Sequence, residues 1–460
     1  MTLITSISGI RGTIGGHPGE GLTPVDVVRF ASAYAVWIRK RSLKGKPRVV
    51  TGRDARISGP VVADLVISSL VSSGIDVTDL GLASTPTVEV AVTGLNADGG
   101  IIITASHNPY HWNALKLLNE KGEFLSSSDG EELLSIASSG QYDYCAVDEL
   151  GKVTTDDTWN DRHIDLVLSS PWVSTEAIKR AGLTVVADCV NSVGGIIVPR
   201  LLERLGVKRI ITIYGEPTGR FPHNPEPLPE NLTDLCSMVL SEAADIGVVV
   251  DPDVDRLALV CENGVVFGEE YTLVSVADYI LSRKRGSAVS NMSSSMALRD
   301  VAARHGCEYY SSPVGEVNVV EEMKRRKAVI GGEGNGGVIV PDLHYGRDAV
   351  AGIAIFLTHL ATSGKKCSEL RAIYPEYHIL KSRIEIAPGQ SLEVIFNSVR
   401  SAFPGCSIDD RDGIKVETSE GWVQVRASNT EPILRIYAEA TTPDAAGSLV
   451  KLVTTVVKKT

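Results

Sequence analysis

Four stretches of the chain combine residue types that can do chemistry. The first is Ile101-Ile102-Ile103-Thr104-Ala105-Ser106-His107-Asn108-Pro109. An apolar run gives way to small and polar residues and then a proline, the pattern of a buried strand ending in a turn. Strand ends in open α/β sheets are where ligands bind. Ser106 can act there as a nucleophile if a neighbour takes its proton or a strong electrophile approaches. His107 is adjacent, and Lys116 follows ten residues after Ser106. The plainer alternative is a serine/threonine turn that only closes a strand. The setting is not Gly-x-Ser-x-Gly, which argues against acyl chemistry.

The second stretch is Ile246-Gly247-Val248-Val249-Val250-Asp251-Pro252-Asp253-Val254-Asp255-Arg256. Carboxylates at i, i+2 and i+4 fall on one side of an extended chain. So crowded, they repel unless a cation lies between them. Oxygen ligands select Mg²⁺ first, with Mn²⁺ or Ca²⁺ as alternatives. Solvated turn carboxylates are the bland reading. Asp251, Asp253, Asp255 and Glu262 also match the acidic spacing of a calcium-binding EF-hand loop. Position six of that loop needs glycine and here holds Arg256, and the flanks read as strands, so this is rejected. A phosphatase with an aspartyl nucleophile leaves Ser106 without a task and stays a minor alternative.

The third stretch, Gly331-Gly332-Glu333-Gly334-Asn335-Gly336-Gly337, contains Gly-x-Gly-x-x-Gly. A dinucleotide fingerprint would run on into a helix. Val338-Ile339-Val340-Pro341 follows instead, so a nicotinamide site is not expected. A loop with little bulk suits close approach to a polyol. Glu333 can accept from two hydroxyls, and Asn335 can donate or accept. A glycine turn without a ligand is the competing reading. The fourth stretch, Arg426-Ala427-Ser428-Asn429-Thr430-Glu431-Pro432, lies between two strand-like runs, with Arg435 beyond. Backbone N–H groups, hydroxyls and guanidinium forks make a phosphate cradle; a hairpin with incidental arginines is the alternative. Arg11 and Arg53 are lesser cationic candidates.

These residues must be positioned by a scaffold, and its rhythm is visible. Pro47–Val77, Leu183–Val207 and Ser287–Glu308 each read strand, polar turn, amphipathic helix, glycine, strand. A helix joining strands this way makes a right-handed crossover and a largely parallel sheet. The last ~90 residues instead cluster strand patterns between two helices, as in a small α+β domain with an antiparallel sheet. Gly215–Pro229 is a proline-rich stretch that reads as an ordered surface loop. Tyr345-Gly346-Arg347-Asp348 reads as a loop entering a helix, with Asp348 near its start.

The chain of 460 residues predicts about three domains at ~150 residues each. Lys+Arg number 45 and Asp+Glu 56, a formal net charge of −11. That excess argues against nucleic acid or an anionic membrane as partner, but not against a small anionic substrate. No apolar run approaches the ~18 residues of a membrane span. The first residues lack the marks of an export signal. The seven cysteines form no Cys-x-x-Cys pair, so a reducing cytoplasm is expected.

Taken in order, Thr104–Pro109, Asp251–Arg256, Gly332–Gly337 and Arg426–Pro432 make the chain resemble an α-D-phosphohexomutase over essentially its whole length. The resemblance implies three similar α/β/α domains with mixed, largely parallel sheets, followed by a C-terminal α+β domain of the TATA-box-binding-protein-like type, around a central cleft. The expected boundaries are 1–150 with the phosphoserine loop, 151–258 with the metal loop, 259–370 with the sugar loop and 371–460 with the phosphate loop. It implies that Ser106 is phosphorylated and passes its phosphoryl group to a hexose 1- or 6-phosphate. A hexose 1,6-bisphosphate (glucose or glucosamine) would be intermediate and activator. One Mg²⁺ would be held by Asp251, Asp253, Asp255 and a phosphoserine oxygen. Arg11, His107, Lys116 and Arg256 match positions around the phosphoserine, with Lys116 and Arg11 as proton-transfer partners. Glu333 would grip sugar hydroxyls, and Arg426, Ser428, Asn429 and Thr430 the other phosphate.

Three departures bear on the substrate. Pro252 and Val254 replace glycines common in the metal loop of relatives. Many relatives carry serine after the sugar-loop glutamate; Asn335 here resembles archaeal-type phosphoglucosamine mutases and some acetylglucosamine phosphomutases. Pro313-Val314-Gly315-Glu316 lies where glucose/mannose mutases often carry histidine, and an acidic Glu316 suits an amino sugar. The expectation is glucosamine phosphate, with a phosphomannomutase/phosphoglucomutase as runner-up. A sugar-phosphate-binding protein without catalysis is a further alternative. The expected enzyme is a monomer or homodimer.

Overall fold

The computed structural model describes residues 2–6, 9–386, 390–428 and 433–459. These fall into two compact units. One comprises Met1–Ile280 and Asn335–Arg371, the other Leu281–Gly334 and Ala372–Thr460.

The first unit opens on a seven-stranded mixed sheet. Its strands lie in the order Leu3–Ser6, Gly9–Thr13, Trp112–Leu118, Gly99–Ile103, Arg48–Arg53, Asp76–Leu82 and Val153–Thr155. Gly99–Ile103 is buried throughout because both faces of the sheet are covered. Alternation divides the residues between two cores. Val49, Ile101 and Ile103 pack with the helices Pro24–Arg41 and Gly59–Ser72. Val50 and Ile102 pack on the other side with Thr85–Gly94 and Trp159. Arg48–Arg53 and Gly99–Ile103 are parallel, pairing Arg53 with Ile103, so they end together and release Asp54 and Thr104 side by side.

A four-stranded sheet follows, ordered Leu257–Cys261, Ile246–Val250, Thr184–Asp188, Arg209–Ile213. Three of these strands are parallel, and Leu257–Cys261 returns antiparallel immediately after the aspartates. The helix Ala349–Ser363 is buried over most of its surface and packs on Trp159–Leu168, Thr175–Ala181 and Gly194–Leu205. Asp348 caps its start, accepting from Val350 N and Ala351 N, as its place in the sequence predicts.

The second unit holds three parallel strands, Tyr309–Ser312, Ala288–Asn291 and Ile330–Glu333. It also holds a five-stranded antiparallel sheet ordered His378–Glu385, Ile433–Ala440, Gly421–Ala427, Ile414–Glu417, Ser407–Asp409. Helices Leu392–Ala402 and Pro443–Lys459 cover one face of the latter. Two buried polar ties join the sheets. Glu439 accepts from Met296 N (2.8 Å) and Trp422 Nε1 (3.0 Å). Lys415 Nζ donates to Met292 O (2.6 Å) and lies 4.1 Å from the centre of the Trp422 ring. Among the described residues no helix is long and apolar enough to cross a membrane.

Burial pulls the Lys415 ammonium down to about 8, although Glu417 and Glu439 oppose it. A lysine lowered in the folded state binds fewer protons than the unfolded chain above that pH. The stability of this unit is therefore expected to rise between about pH 8 and the ordinary lysine value of 10.5. Amide hydrogen exchange of Gly421–Ala427, corrected for intrinsic rate, should show the rise, and Lys415→Met should flatten it.

Candidate active site

Ser106 lies three residues past the end of Gly99–Ile103 and takes φ +48°. Its amide donates to Thr104 Oγ1 (2.9 Å), and the Thr104 hydroxyl donates to Asp54 Oδ2 (2.6 Å). Asp54 is fully buried against Arg56, with Nε to Oδ2 at 2.9 Å. The Arg56 guanidinium then donates to the carbonyls of Ser106, Asn108, Pro109 and Trp112. One buried arginine thus fixes the backbone of the serine loop. Sequence reasoning singled out Arg53, whose Nη1 reaches only Asp54 O (3.2 Å), and missed Arg56. A second arginine two residues after an aspartate at a strand end was the available signal.

The serine hydroxyl donates to Asp251 Oδ2 at 2.7 Å and lies 3.3 Å from His107 Nδ1. Asp251, Asp253 and Asp255 are completely buried and converge closely enough to share one ion. They do not converge by strand alternation, as the spacing suggested. The segment is a tight turn in which Asp251 Oδ1 accepts from Asp255 N and Arg256 N, both at 3.1 Å. Val254, where relatives often have glycine, sits in this turn at φ +61°, an unfavourable region for a β-branched residue.

Cations surround the triad. Lys116 Nζ is 2.6 Å from Asp253 Oδ2 and 3.2 Å from Asp255 Oδ2. Arg347 Nη2 donates to Asp255 Oδ2 at 2.8 Å. Burial pulls the Lys116 ammonium down, but Asp253 and Asp255 outweigh it and hold it above the ordinary lysine range. Burial raises Asp255, and Arg347, Lys116 and Arg256 more than reverse that. Asp251 is pushed well up, by burial first and then by Asp255 and Asp253. His107 is driven well below the usual imidazole range by burial and by Arg256. Arg11 pairs with Ala114 across the antiparallel strands, so it shares a face with Lys116. Its guanidinium is lowered by burial and by Arg256 and Arg347.

The donor set fits a divalent cation. Asp253 Oδ1 and Asp255 Oδ1 are buried without a hydrogen-bond partner, while their Oδ2 atoms are taken by Lys116 and Arg347. Orphaned buried carboxylate oxygens are costly unless something meets them. Arg256 Nη1 is 3.4 Å from Glu226 Oε1, and its buried Nε has no hydrogen-bond partner. Glu226 belongs to the proline-rich loop, which also sets Phe221 5.0 Å from the Arg56 guanidinium. The loop is therefore fitted to the site, a role its composition did not reveal. Arg347, which the sequence marks only as part of a helix entry, likewise reaches the triad.

Asn335 Oδ1 accepts from Gly337 N (3.2 Å), and the next loop residue, Gly336, gives its carbonyl to Leu257 N (3.1 Å), one residue past Arg256. Glu333 lies in the second unit, where Oε1 accepts from Asn291 Nδ2 (2.9 Å) and Gly315 N (3.3 Å). Arg426, on Gly421–Ala427, pairs directly across from Arg435, and burial followed by Arg435 lowers it. Its buried Nε has no hydrogen-bond partner. Two facing guanidiniums suit an anion. Ser428 N donates to Ile433 O (2.9 Å). Asn429 and Thr430 lie outside the described residues.

A serine hydroxyl held against a buried triad of carboxylates, with cations on several sides, is an arrangement chemically able to carry a phosphoryl group, set on a multi-domain α/β scaffold. The four phosphoglucomutase/phosphomannomutase domains match in order: α/β/α domain I over residues 3–143, α/β/α domain II over 161–264, α/β/α domain III over 268–377 and the C-terminal domain over 380–455. The chain is 36% identical over 445 residues to a phosphoglucomutase/phosphomannomutase of Thermococcus kodakarensis, covering 96% of each. It is 34% identical to a probable phosphoglucosamine mutase of Methanopyrus kandleri, covering 96% of this chain and 95% of that one. A phosphoglucomutase/phosphomannomutase family protein of Burkholderia thailandensis shares the fold, with TM-score 0.86 at 24% identity, covering 99% of this chain and 97% of that one. The chain belongs to the phosphoglucomutase/phosphomannomutase family of α-D-phosphohexomutases. It is a hexose-phosphate mutase, an intramolecular phosphotransferase.

Arg56→Lys keeps a positive charge opposite Asp54 but loses the fork that holds four carbonyls. Turnover is expected to fall by about 100-fold, the cost of misplacing a reacting atom by roughly 1 Å. Circular dichroism should show the fold retained; a wild-type rate in the folded variant would remove Arg56 from the positioning of Ser106.

Proposed function

We propose that this mutase interconverts hexose 6-phosphate and hexose 1-phosphate through phosphorylated Ser106, with glucosamine phosphate as preferred substrate. The observation that carries the reaction is Ser106 Oγ lying 2.7 Å from Asp251 Oδ2, beside the orphaned oxygens of Asp253 and Asp255. Mg²⁺ would be held by Asp251, Asp253, Asp255 and a phosphoserine oxygen, and when bound it offsets charge on the transferring phosphoryl group.

The remaining work falls to side chains. A free sugar hydroxyl attacks phosphorus; the bond from phosphorus to Ser106 Oγ breaks as the bond to the sugar oxygen forms. The departing Ser106 Oγ takes a proton as the sugar hydroxyl gives one up; we assign Lys116, held as an ammonium by Asp253 and Asp255, as the proton donor and Arg11, lowered by burial, as the partner that takes the hydroxyl proton. A hexose 1,6-bisphosphate results, and the other phosphate then returns to Ser106. Arg256 stabilises equatorial oxygens through the Nε that makes no hydrogen bond within the protein. Arg426 and Ser428, with Asn429 and Thr430, would hold the phosphate that is not reacting. Glu333 and Asn335 would accept from sugar hydroxyls.

For the substrate, Gly315 N donates to Glu333 Oε1, which brings the backbone beside Glu316 up to the sugar-loop carboxylate. An acidic side chain beside the sugar would favour an ammonium group over a neutral hydroxyl. A phosphoglucomutase/phosphomannomutase is the second reading, supported by the name of the relative at 36% identity.

Ser106 should carry one phosphate by intact-mass measurement, and Ser106→Ala should abolish both phosphate and turnover; an active variant sinks the mechanism. Among the 1-phosphates of glucosamine, glucose and mannose, glucosamine should give the highest kcat/KM. Glu316→Gln should lower that value by about 10-fold while sparing glucose, as expected for roughly 1.4 kcal/mol of charge recognition. Mannose 1-phosphate winning by a wide margin would overturn the amino-sugar reading.

A further inference from the structure

A second cluster of ligating side chains lies outside the residues assigned above, wholly within the first unit. His163 on the helix Trp159–Leu168, His344 in the loop before Ala349–Ser363, and Asp348 at the start of that helix each offer one donor atom, and the three atoms lie within 4.8 Å of one another. Both rings turn Nε2 towards one oxygen. His163 Nε2 is 3.0 Å and His344 Nε2 3.3 Å from Asp348 Oδ2. The rings meet edge to face at 83°.

The other ring nitrogens are held from behind. His163 Nδ1 is 3.0 Å from Thr87 Oγ1, and His344 Nδ1 is 3.3 Å from Glu89 Oε2. Thr87 and Glu89 lie on one helix, Thr85–Gly94, and both are buried. Gly346 leaves room for this carboxylate: a Cβ there would meet Glu89 Oε2 at 1.8 Å. The His163 and Asp348 side chains are 0% and 2% exposed, and that of His344 11%.

We propose that His163 Nε2, His344 Nε2 and Asp348 Oδ2 form a binding site for a divalent transition ion of the Zn²⁺ type, separate from the aspartate triad. Two imidazoles and one carboxylate select such an ion over Mg²⁺, which prefers oxygen alone. With Zn²⁺ to ligand distances of about 2.0–2.2 Å, donors around a tetrahedral ion stand roughly 3.3 Å apart. The observed separations of 3.0 and 3.3 Å from Asp348 Oδ2 match that spacing. Rings that ligate a metal characteristically give their other N–H to a carboxylate or similar acceptor, which fixes the tautomer. Glu89 and Thr87 stand where those acceptors belong. Asp348 Oδ1 is meanwhile engaged by Val350 N and Ala351 N, leaving Oδ2 to point at the rings. A water would complete four-fold coordination. The ion would join Thr85–Gly94, Trp159–Leu168 and the start of Ala349–Ser363, three segments far apart in sequence. Its role is structural, and the proposal does not rest on the substrate or mechanism of the mutase.

The test uses the whole chain, stripped with chelator and then supplied with excess Mg²⁺ to occupy any oxygen-only site. Co²⁺ is titrated as the probe at pH 8, because protons compete for imidazole nitrogen. One Co²⁺ per chain with the intense visible bands of a four-coordinate, nitrogen-bound ion is expected. His163→Gln and His344→Gln should each lose these bands. Zn²⁺ should raise the thermal midpoint of the wild type and of Ser106→Ala alike, since ligand binding to the folded state alone stabilises it. Faint six-coordinate bands only, or intense bands that survive in both histidine variants, would overturn the site. Should the glutamine variants unfold, the wild-type spectrum and midpoint still decide: no intense bands and no Zn²⁺ shift means an ion-pair clasp and no metal.

Discussion

Mutual repulsion among Asp251, Asp253 and Asp255 is the constraint around which this molecule is arranged. At about 4 Å, two unit charges repel by roughly 4 kcal/mol at an effective dielectric of 20, and here three are buried with no exposed surface. The turn offsets part of this by giving Asp251 two backbone amides. The larger part needs cations from elsewhere. Lys116 comes from the seven-stranded sheet and Arg347 from the loop before the helix Ala349–Ser363. The ends of two sheets must therefore meet. Thr85 N donating to Asp253 O and Ala55 N to Ser192 Oγ hold them there. Even so, Asp253 Oδ1 and Asp255 Oδ1 find no hydrogen-bond partner. The same repulsion that organises the scaffold leaves it short of one positive group, where a cation would serve.

The elements were more legible than the reasons for their placement. Buried strands of isoleucine and valine announce themselves, and so do helices that begin after proline or a polar cap. Asp348 was readable as a helix start because a capping side chain acts within three residues of itself. Arg56 was not readable. Its partners are carbonyls about 50 residues away, and any arginine near an aspartate resembles a local ion pair. The triad shows a subtler failure. Its spacing led to the correct grouping by an incorrect route, because an extended chain and a tight turn both bring i, i+2 and i+4 together. Val254 was noted as a departure from glycine, but only the backbone angle of +61° shows what the departure costs. The His163–His344–Asp348 cluster is invisible in the sequence for the same reason as Arg56: His163 lies more than 180 positions from His344 and Asp348.

The net charge of −11 looks at odds with an anionic substrate. The resolution is local. Lys116, Arg11, Arg256 and Arg347 are gathered about three aspartates, and several of them bear on one another: Arg11 is lowered by Arg256 and Arg347 after burial. Arg426 faces Arg435 in the same way. Like charges placed together are unstable unless an anion joins them: Asp253 and Asp255 meet Lys116 and Arg347, and the facing pair Arg426 and Arg435 suits a small anion. A protein can repel polyanions through its overall field and still hold a sugar phosphate, because screening at about 8 Å in physiological salt separates the two scales.

Ser106 occupies a backbone region that costs a residue with a side chain about 1–2 kcal/mol. What holds it there is buried. Arg56 donates to the carbonyls of Ser106, Asn108, Pro109 and Trp112, and hydrogen bonds from a charged donor are each worth roughly 1.5–3 kcal/mol. Two such bonds exceed the cost of the strained residue. Asp54 then binds the arginine to the loop a second time, through Thr104 and the Ser106 amide. Burial pushes the Asp54 carboxyl up and Arg56 opposes the rise, so neither charge can be removed without stranding the other. The pair holds the serine hydroxyl towards Asp251 even though nothing in the local sequence favours that geometry. The strain at Ser106 is sustained by the domain interior, which is why the loop can present the serine hydroxyl at a fixed point while its own residues remain small and polar.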